Sequence, residues 1–502
     1  MRKTCLVILT GLLYTLAFPS YNLWPLIWIF AVPLFFVVED LSSARAFVFG
    51  IMAGIVAWSG NIYWIAYTVH EFGGLNLFLA SFILFIFVIY LSLYFGVFFS
   101  IASANIRAKH AIISLPGIWI ILELVRTYAL SGFPWTLAGH SQLPLKGLVQ
   151  GAEFGGVYLI SGIVMMANIA IYKAIKREFK PAILVIFILV ASFVWGSWRI
   201  ENLDITGETL KAGIVQANIS QEEKWLPEMI TPTIDIYSRL TKSAAEEGVD
   251  LIVWPETACN FYLFRMWRPT SRIIKLSRQC NAHLLMGSPA NEDGKYFNRV
   301  WFIHSGRICG YYDKVHLVPF GEYVPLPCIL EPIFGKIMQG VSDFSKAKEF
   351  KPVDDIGVLV CFESIFPDMS RELCRKKAAY LANVSNDAWF KTWSAPEQLI
   401  QITAFRAIEN RRWLIRSVNH GISAFVDPFG RITKSIGLLK EGVIVEKITK
   451  NSYMTFYTKY GAVLDWIWGM IGIILVFLGF CSSIQQRLSL RGNLVTKQSR
   501  GG

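Results

Sequence analysis

The sequence predicts a polytopic α-helical membrane bundle of about eight transmembrane helices that carries one layered α/β domain. Three observations point there. Hydrophobic residues make up 54% of the 502 positions and charged residues only 17%, which is too apolar for an ordinary soluble enzyme. The apolar residues concentrate before about residue 197 and again near 463–482. Between them lies a stretch of mixed composition, where short apolar runs alternate with amphipathic helical segments, the pattern of a layered α/β fold.

Hydropathy gives spans with cores near 5–19, 24–38, 46–68, 75–103, 111–130, 156–174, 181–197 and 463–482. The first follows Arg2 and Lys3, as a signal peptide would. It ends in Phe18-Pro19 without a convincing small-residue cleavage site, so a retained anchor is expected. Arg2/Lys3, Arg45, Arg107/Lys109, the Lys173–Lys180 cluster and the tail from Arg487 to Arg500 fall on alternate connections. The opposite loops, around Tyr21, Glu71 and 131–155, hold few basic residues. Cytoplasmic loops are the ones enriched in Lys and Arg, so both termini are expected in the cytoplasm. The expected organisation is a seven-helix bundle over 1–197, an extracytoplasmic catalytic domain over 198–462, a last helix over 463–482, and a basic cytoplasmic tail over 483–502. No cytosolic ATP or NAD is then expected at a site in the globular segment.

The net charge of +12 sits in short loops at helix ends, where it meets anionic headgroups. No basic patch interleaved with aromatics suits base stacking, so nucleic acid is not an expected partner. Eight cysteines in a chain of this length are not a disulfide scaffold. Cys259, Cys280, Cys309, Cys328 and Cys374 share the globular segment with Cys361, which leaves room for one disulfide that sequence cannot pair. The loop over 131–155 is too polar and Gly/Pro-rich to span. It is expected at the outer interface with Trp135 as an anchor, and its His140 reads as a hydrogen-bonding residue before it reads as a base. Glu123 and Arg126, three apart in an apolar helix, are expected to pair.

In the globular segment, strands are expected over 212–217, 251–254, 284–287, 300–304, 357–361, 380–384, 414–418 and 424–427. Helices are expected over 228–247, ended by Gly248, and 396–410. Gly73-Gly74 and Gly155-Gly156 have neither the spacing nor the preceding strand of a phosphate loop. Neither HExxH nor CxxC occurs, so no metal and no cofactor are expected.

Three places carry chemistry. Leu251-Ile-Val-Trp-Pro-Glu256 is a buried strand ending in a carboxylate, with Pro255 stopping the pairing. Tyr311-Tyr-Asp-Lys314-Val-His-Leu-Val-Pro-Phe-Gly-Glu322-Tyr-Val-Pro325 supplies a lysine and a second carboxylate. Ile356-Gly-Val-Leu-Val-Cys361-Phe-Glu363-Ser-Ile-Phe-Pro367 delivers a cysteine to a turn, with Pro367 at the first position of the next helix. A thiol near a helix start and an ammonium is expected to favour the nucleophilic thiolate. Each motif alone reads as core cysteine, loop carboxylate or surface charge.

In this order, the three motifs resemble the Glu–Lys–Cys triad of the nitrilase superfamily, which implies an α-β-β-α sandwich. The whole chain resembles the apolipoprotein N-acyltransferase family. That likeness rests on the motif from Lys314 to Pro325, on Asn383-Val-Ser-Asn-Asp387-Ala-Trp389-Phe, on Phe18-Pro19 followed by Trp24-Pro25, and on the order of bundle, globular domain and final helix. It implies an acyl transfer in two steps. Cys361 takes an acyl group from a phospholipid donor as a thioester, and the α-amine of a diacylglyceryl-cysteine on an apolipoprotein acceptor receives it as an amide. It further implies Glu256 as general base, Lys314 and the Phe362 N–H as oxyanion donors, and supporting roles for Trp225, Glu322 and Glu363. Family members often carry Tyr where this chain has Phe362. Against this stand a membrane-tethered nitrilase-type amidase, for which a water-soluble substrate would leave the bundle without purpose, and a non-catalytic binding protein or transporter, which an intact triad disfavours.

Overall fold

A helix needs about 20 apolar residues to cross a hydrocarbon layer. The structure, a computed structural model, describes residues 2–323, 344–391 and 394–498, with side chains as far as Cys481. Six helices among the described residues are long and apolar enough: Ser43–Ile62, Leu77–Asn105, Ala111–Ser131, Ala152–Ile175, Lys180–Asn202 and Val463–Cys481. Local sequence explains their ends. Asn76 accepts the Leu79 N–H at the start of the second, and Pro181 sits in the first turn of the fifth. The first expected span is a 15-residue helix, Arg2–Leu16. The second is broken, with a 3-10 turn over Trp24–Trp28 and a helix over Val32–Val38, each opening on a proline. The 46–68 span divides into Ser43–Ile62 and Trp64–Glu71. The last helix continues to Gln498. Of the basic tail expected over 483–502, residues 499–502 and all the side chains lie outside the described residues.

The globular part is built from β1 (Thr209–Gln216), β2 (Leu251–Val253), β3 (His283–Glu292), β4 (Lys295–His304), β5 (Arg307–Asp313), β6 (Ile356–Val360), β7 (Tyr380–Ser385), β8 (Leu414–Val418), β9 (Ser423–Val426), β10 (Ile432–Ile436) and β11 (Gly442–Thr449). They form one sheet in the order β11-β1-β2-β3-β4-β5 and another in the order β10-β9-β8-β7-β6. The central strands run parallel, β1 with β2, β2 with β3, and β6 with β7 with β8, while β3, β4 and β5 pair antiparallel. The sheets face each other through Ile214, Val253, Leu285 and Phe302 on one side and Val358, Val360, Val384 and Ile415 on the other. Helices Ile230–Glu246 and Trp267–Cys280 cover the outer face of the first sheet. Helix Ser394–Asn410 covers the second and meets the bundle through Ile120, Leu124 and Val157. This is the α-β-β-α sandwich that the resemblance implied.

Eight expected strands are present with shifted ends. Sequence reading missed β5, β10 and β11, whose faces are partly exposed and whose residues are therefore mixed in polarity, and likewise the helix Trp267–Cys280. Other expectations are corrected. Trp135 is not an interfacial anchor: it is buried, stacks on Phe133, and donates its indole N–H to Gln398 at 2.6 Å. Glu123 and Arg126 form no direct ion pair among the described residues. Glu123 accepts from the Trp119 indole and the Ala138 N–H, while Arg126 donates to the Trp135 carbonyl and lies over Trp58. The seven described cysteines are free thiols, and Cys328 lies outside the described residues.

The final helix is held to the bundle at two glycines. A Cβ on Gly117 would come within 2.5 Å of the Trp468 carbonyl, and one on Gly472 within 2.6 Å of the Ser114 carbonyl, while the Trp468 indole donates to the Ile113 carbonyl at 2.9 Å. Small residues permit this close approach. Gly117→Leu is therefore expected to destabilise the protein by about 1–3 kcal/mol, read as a lower unfolding temperature of the purified protein in detergent.

Candidate active site

Four strand ends converge. Glu256 follows β2, whose Trp254 N–H bonds the Leu285 carbonyl at 2.8 Å. The Pro255–Thr257 turn then lies tight against β3 at Gly287, where any Cβ would sit 2.4 Å from the Thr257 nitrogen. Lys314 follows β5 and is tied to β4 by its own N–H on the Asn298 carbonyl. Cys361 follows β6 with a left-handed φ of 51°, a conformation few non-glycine residues adopt. Asn386 follows β7. The first two belong to one sheet and the last two to the other, so the sandwich itself closes the site.

The charged groups form one buried network. The Lys314 ammonium lies 2.9 Å from Glu322 and 3.6 Å from Glu256. Asn298 donates from Nδ2 to both carboxylates, at 2.7 Å to Glu256 and 3.0 Å to Glu322. The Asn386 N–H donates to the other Glu256 oxygen at 3.0 Å. The second oxygen of Glu322 accepts the Val318 N–H at 2.9 Å. Burial alone would disfavour the Lys314 ammonium, but Glu322, Glu256, Cys361 and Glu363 hold it well above the usual lysine range. Burial pushes Glu256 up, against the pull of Lys314.

The thiol is the reverse of what the sequence suggested. Burial, then the Glu256 carboxylate, push Cys361 up to about 12, and Lys314 only partly offsets them. A 3-10 turn over Cys361–Ile365 lies between the cysteine and the helix that begins at Pro367. The resting Cys361 side chain is therefore a neutral thiol beside a carboxylate. Such a unit can pass the thiol proton to the carboxylate as sulfur attacks, while a fixed ammonium meets the charge that develops on the attacked carbonyl.

Glu363 works on the backbone. Its carboxylate accepts N–H bonds from Val315 and His316 at 2.8 and 2.9 Å, from Val360 at 2.7 Å, and the Tyr312 hydroxyl at 2.9 Å. It thus ties the Lys314 segment to the Cys361 turn, and burial pushes it up to about 7. Phe362 packs against the bundle core beside Phe366 and His316. His316 is pushed down to about 4 by burial and then by Lys346 and Lys314, so it is neutral. Trp225 is half exposed and lies next to Lys224, whose ammonium bonds the Glu256 carbonyl. His140 is buried, accepts the Leu137 N–H and packs on Phe405.

Sequence reading missed Asn298, Lys224, Asn386 and the buried pair Arg416–Asp387 at 2.7 Å. Asn386 and Asp387 lie inside a motif already noted, which was the available signal. Asn298 sits 42 residues from Glu256 and gave none. Among the described residues no group of three or more His, Cys, Asp or Glu is arranged to hold a metal ion.

Residues 10–170 match the family described as Apolipoprotein N-acyltransferase N-terminal domain, and residues 211–456 match Carbon-nitrogen hydrolase. The chain is 36% identical over 485 residues to an Apolipoprotein N-acyltransferase of Geobacter metallireducens, with 93% of each chain covered. It is 31% identical over 497 residues to one of Pseudomonas aeruginosa, with 94% of each covered. Among solved structures it is similar to an amidase from Nesterenkonia sp. at 19% identity and a TM-score of 0.40, covering 53% of this chain and 99% of that one.

The raised thiol has a measurable sign. A group that is neutral at pH 7 and titrates near 12 gains thiolate steadily as pH rises. Alkylation of Cys361 by iodoacetamide, followed on its tryptic peptide, is expected to speed up about tenfold per pH unit above neutrality with no plateau near the ordinary thiol value. A plateau near neutral pH would show a resting thiolate.

Proposed function

The chain belongs to the apolipoprotein N-acyltransferase family, and from that premise we propose that Cys361, Glu256 and Lys314 carry out its acyl transfer in two half-reactions. The protein is a membrane acyltransferase of lipoprotein maturation. The observation that carries the residue assignment is the buried Lys314 ammonium between Glu256 and Glu322, with the Cys361 thiol in the same field.

In the first half-reaction Glu256 takes the Cys361 proton as sulfur attacks a phospholipid acyl ester. Lys314, with the Phe362 N–H, stabilises the tetrahedral oxyanion. Collapse breaks the ester C–O bond, and the departing lysophospholipid oxygen takes the proton from Glu256, leaving a thioester. In the second, the α-amine of a diacylglyceryl-cysteine attacks the thioester and Glu256 takes an amine proton. The C–S bond breaks, and the Cys361 sulfur recovers that proton as the amide forms. Glu322 holds Lys314 in place at 2.9 Å, and Trp225, half exposed next to Lys224, suits contact with an incoming lipid chain. The thioester favours amine over water when acyl chains fill the cavity and exclude solvent.

The alternating basic loops support a catalytic domain on the outer face of the cytoplasmic membrane and both termini inside. Impermeant thiol labels on single cysteines introduced near 240 and near 495 are expected to react from opposite sides. Labelling of both from one side would reject this arrangement.

Single-turnover assays with labelled phospholipid, then with added lipopeptide, separate the steps. Wild-type protein is expected to form a hydroxylamine-sensitive adduct that Cys361→Ala lacks. Lys314→Met is expected to slow both steps on the order of 100–1000-fold. Glu256→Gln is expected to slow both on the order of 100–10,000-fold. Near-normal acylation of Cys361 in Glu256→Gln would overturn the role given to that carboxylate, and an adduct on Cys259 or Cys374 would overturn the choice of thiol.

A further inference from the structure

We infer that Lys224 is a positioning residue for the general base, clamping the Glu256-Thr257 backbone and giving the Glu256 carboxylate a second positive charge beside that of Lys314. The inference deepens the proposed function and rests on Glu256 being the base.

The Lys224 ammonium is buried, yet the atoms it bonds are neutral: the Thr257 hydroxyl at 2.7 Å and the Glu256 main-chain carbonyl at 3.4 Å. Its own carbonyl accepts from Asn260 Nδ2 at 2.6 Å, so the lysine and the segment after Glu256 grip each other from both sides. The gripped residue is held in an uncommon conformation, since Thr257 has a φ of 46°. A buried cation with only neutral acceptors is unfavourable unless a nearby anion compensates it. The anion here is the Glu256 carboxylate, which raises the lysine against the effect of burial, with Cys259 adding a smaller contribution. Burial still dominates and lowers Lys224 to about 8, so the ammonium is charged at neutral pH.

The groups that face the Glu256 carboxylate come from every neighbouring segment. Lys314 and Glu322 follow β5, Asn298 lies on β4, Cys361 follows β6, Asn386 follows β7, and Lys224 follows β1. Lys314 is shared with Glu322, at 2.9 Å against 3.6 Å to Glu256, and in the proposed chemistry it turns to the oxyanion. Among the described residues Lys224 bonds no carboxylate. Its charge therefore stays with Glu256 through the cycle.

The sign follows directly. Removing a cation beside a carboxylate disfavours its ionised form and raises its pKa. The acid limb of the first half-reaction, measured in single turnover with labelled phosphatidylglycerol, reads that ionisation without interference from an acceptor amine. In full-length Lys224→Met the limb is expected to move to higher pH by about one pH unit, and the plateau to fall on the order of tenfold. Lys224→Arg is expected to return the limb towards its wild-type position. Thr257→Val keeps the charge and removes the acceptor, so it is expected to lower the plateau and leave the limb in place. A folded Lys224→Met with the wild-type limb overturns the inference. If Lys224→Met does not fold, the Thr257→Val arm decides, and a wild-type rate there overturns it. Glu256→Gln measured in parallel distinguishes the two failures: normal acylation in that variant removes the base assignment itself, whereas an inactive Glu256→Gln with an unmoved limb removes only the role of Lys224.

Discussion

An ammonium taken out of water loses several kcal/mol of solvation and stays charged only in anionic company. Lys314 meets that condition with two carboxylates, at 2.9 and 3.6 Å. Everything else in the site is arranged around this constraint. Two carboxylates so close to one cation would repel each other, and the Asn298 amide donates to both, spreading the excess negative charge. Removing one partner from such a network leaves an unpaired buried charge and typically costs about 3–5 kcal/mol. The same field that fixes Lys314 also makes the thiol hard to ionise, because Glu256 faces it. The neutral state of the Cys361 thiol is thus a consequence of how the lysine and its carboxylates are held.

The network cannot be assembled by any one sheet. Glu256, Asn298 and Lys314 come from β2, β4 and β5, while Cys361 and Asn386 come from β6 and β7. Contact between them depends on the packing of Val253 and Leu285 against Val360 and Val384 across the sandwich. Glu363 closes the remaining gap, since its carboxylate bonds N–H groups on both the Lys314 and Cys361 segments. Its neighbour Phe362 does different work, because the partly buried ring packs against the core of the bundle.

The residues proposed to carry the chemistry were legible because local pattern marks them. A strand cut short by Trp254-Pro255 announces Glu256, and an apolar strand ending in a cysteine before Pro367 announces Cys361. Asn298 and Lys224 were not legible, for their importance arises only when chain segments 42 and 32 residues away reach them. The thiolate expectation failed for a related reason. Sequence shows a lysine and a coming helix, but it does not show that burial and Glu256 together outweigh the lysine, or that a 3-10 turn lies between the cysteine and the helix start. Strands β5 and β10 were missed because exposed edges do not need alternation that is visibly apolar.

Helix Ser394–Asn410 lies between the second sheet and the bundle. A helix covering a sheet normally shows one polar face to solvent, but here the opposite face is covered by the bundle and the whole helix is almost fully buried. Its Glu409 accepts the Val157 N–H, its Gln398 receives the Trp135 indole and donates to the carbonyls of Pro19 and Asn61, and Arg411 beyond its end pairs with Glu153. These polar contacts fix register where apolar packing alone would allow sliding. The turn bearing Cys361 is therefore set directly on the bundle, through Phe362 and Phe366. In the proposed transfer, a nucleophile held there would reach acyl chains that remain in apolar surroundings, and the surfaces that position it would exclude the water that hydrolyses a thioester.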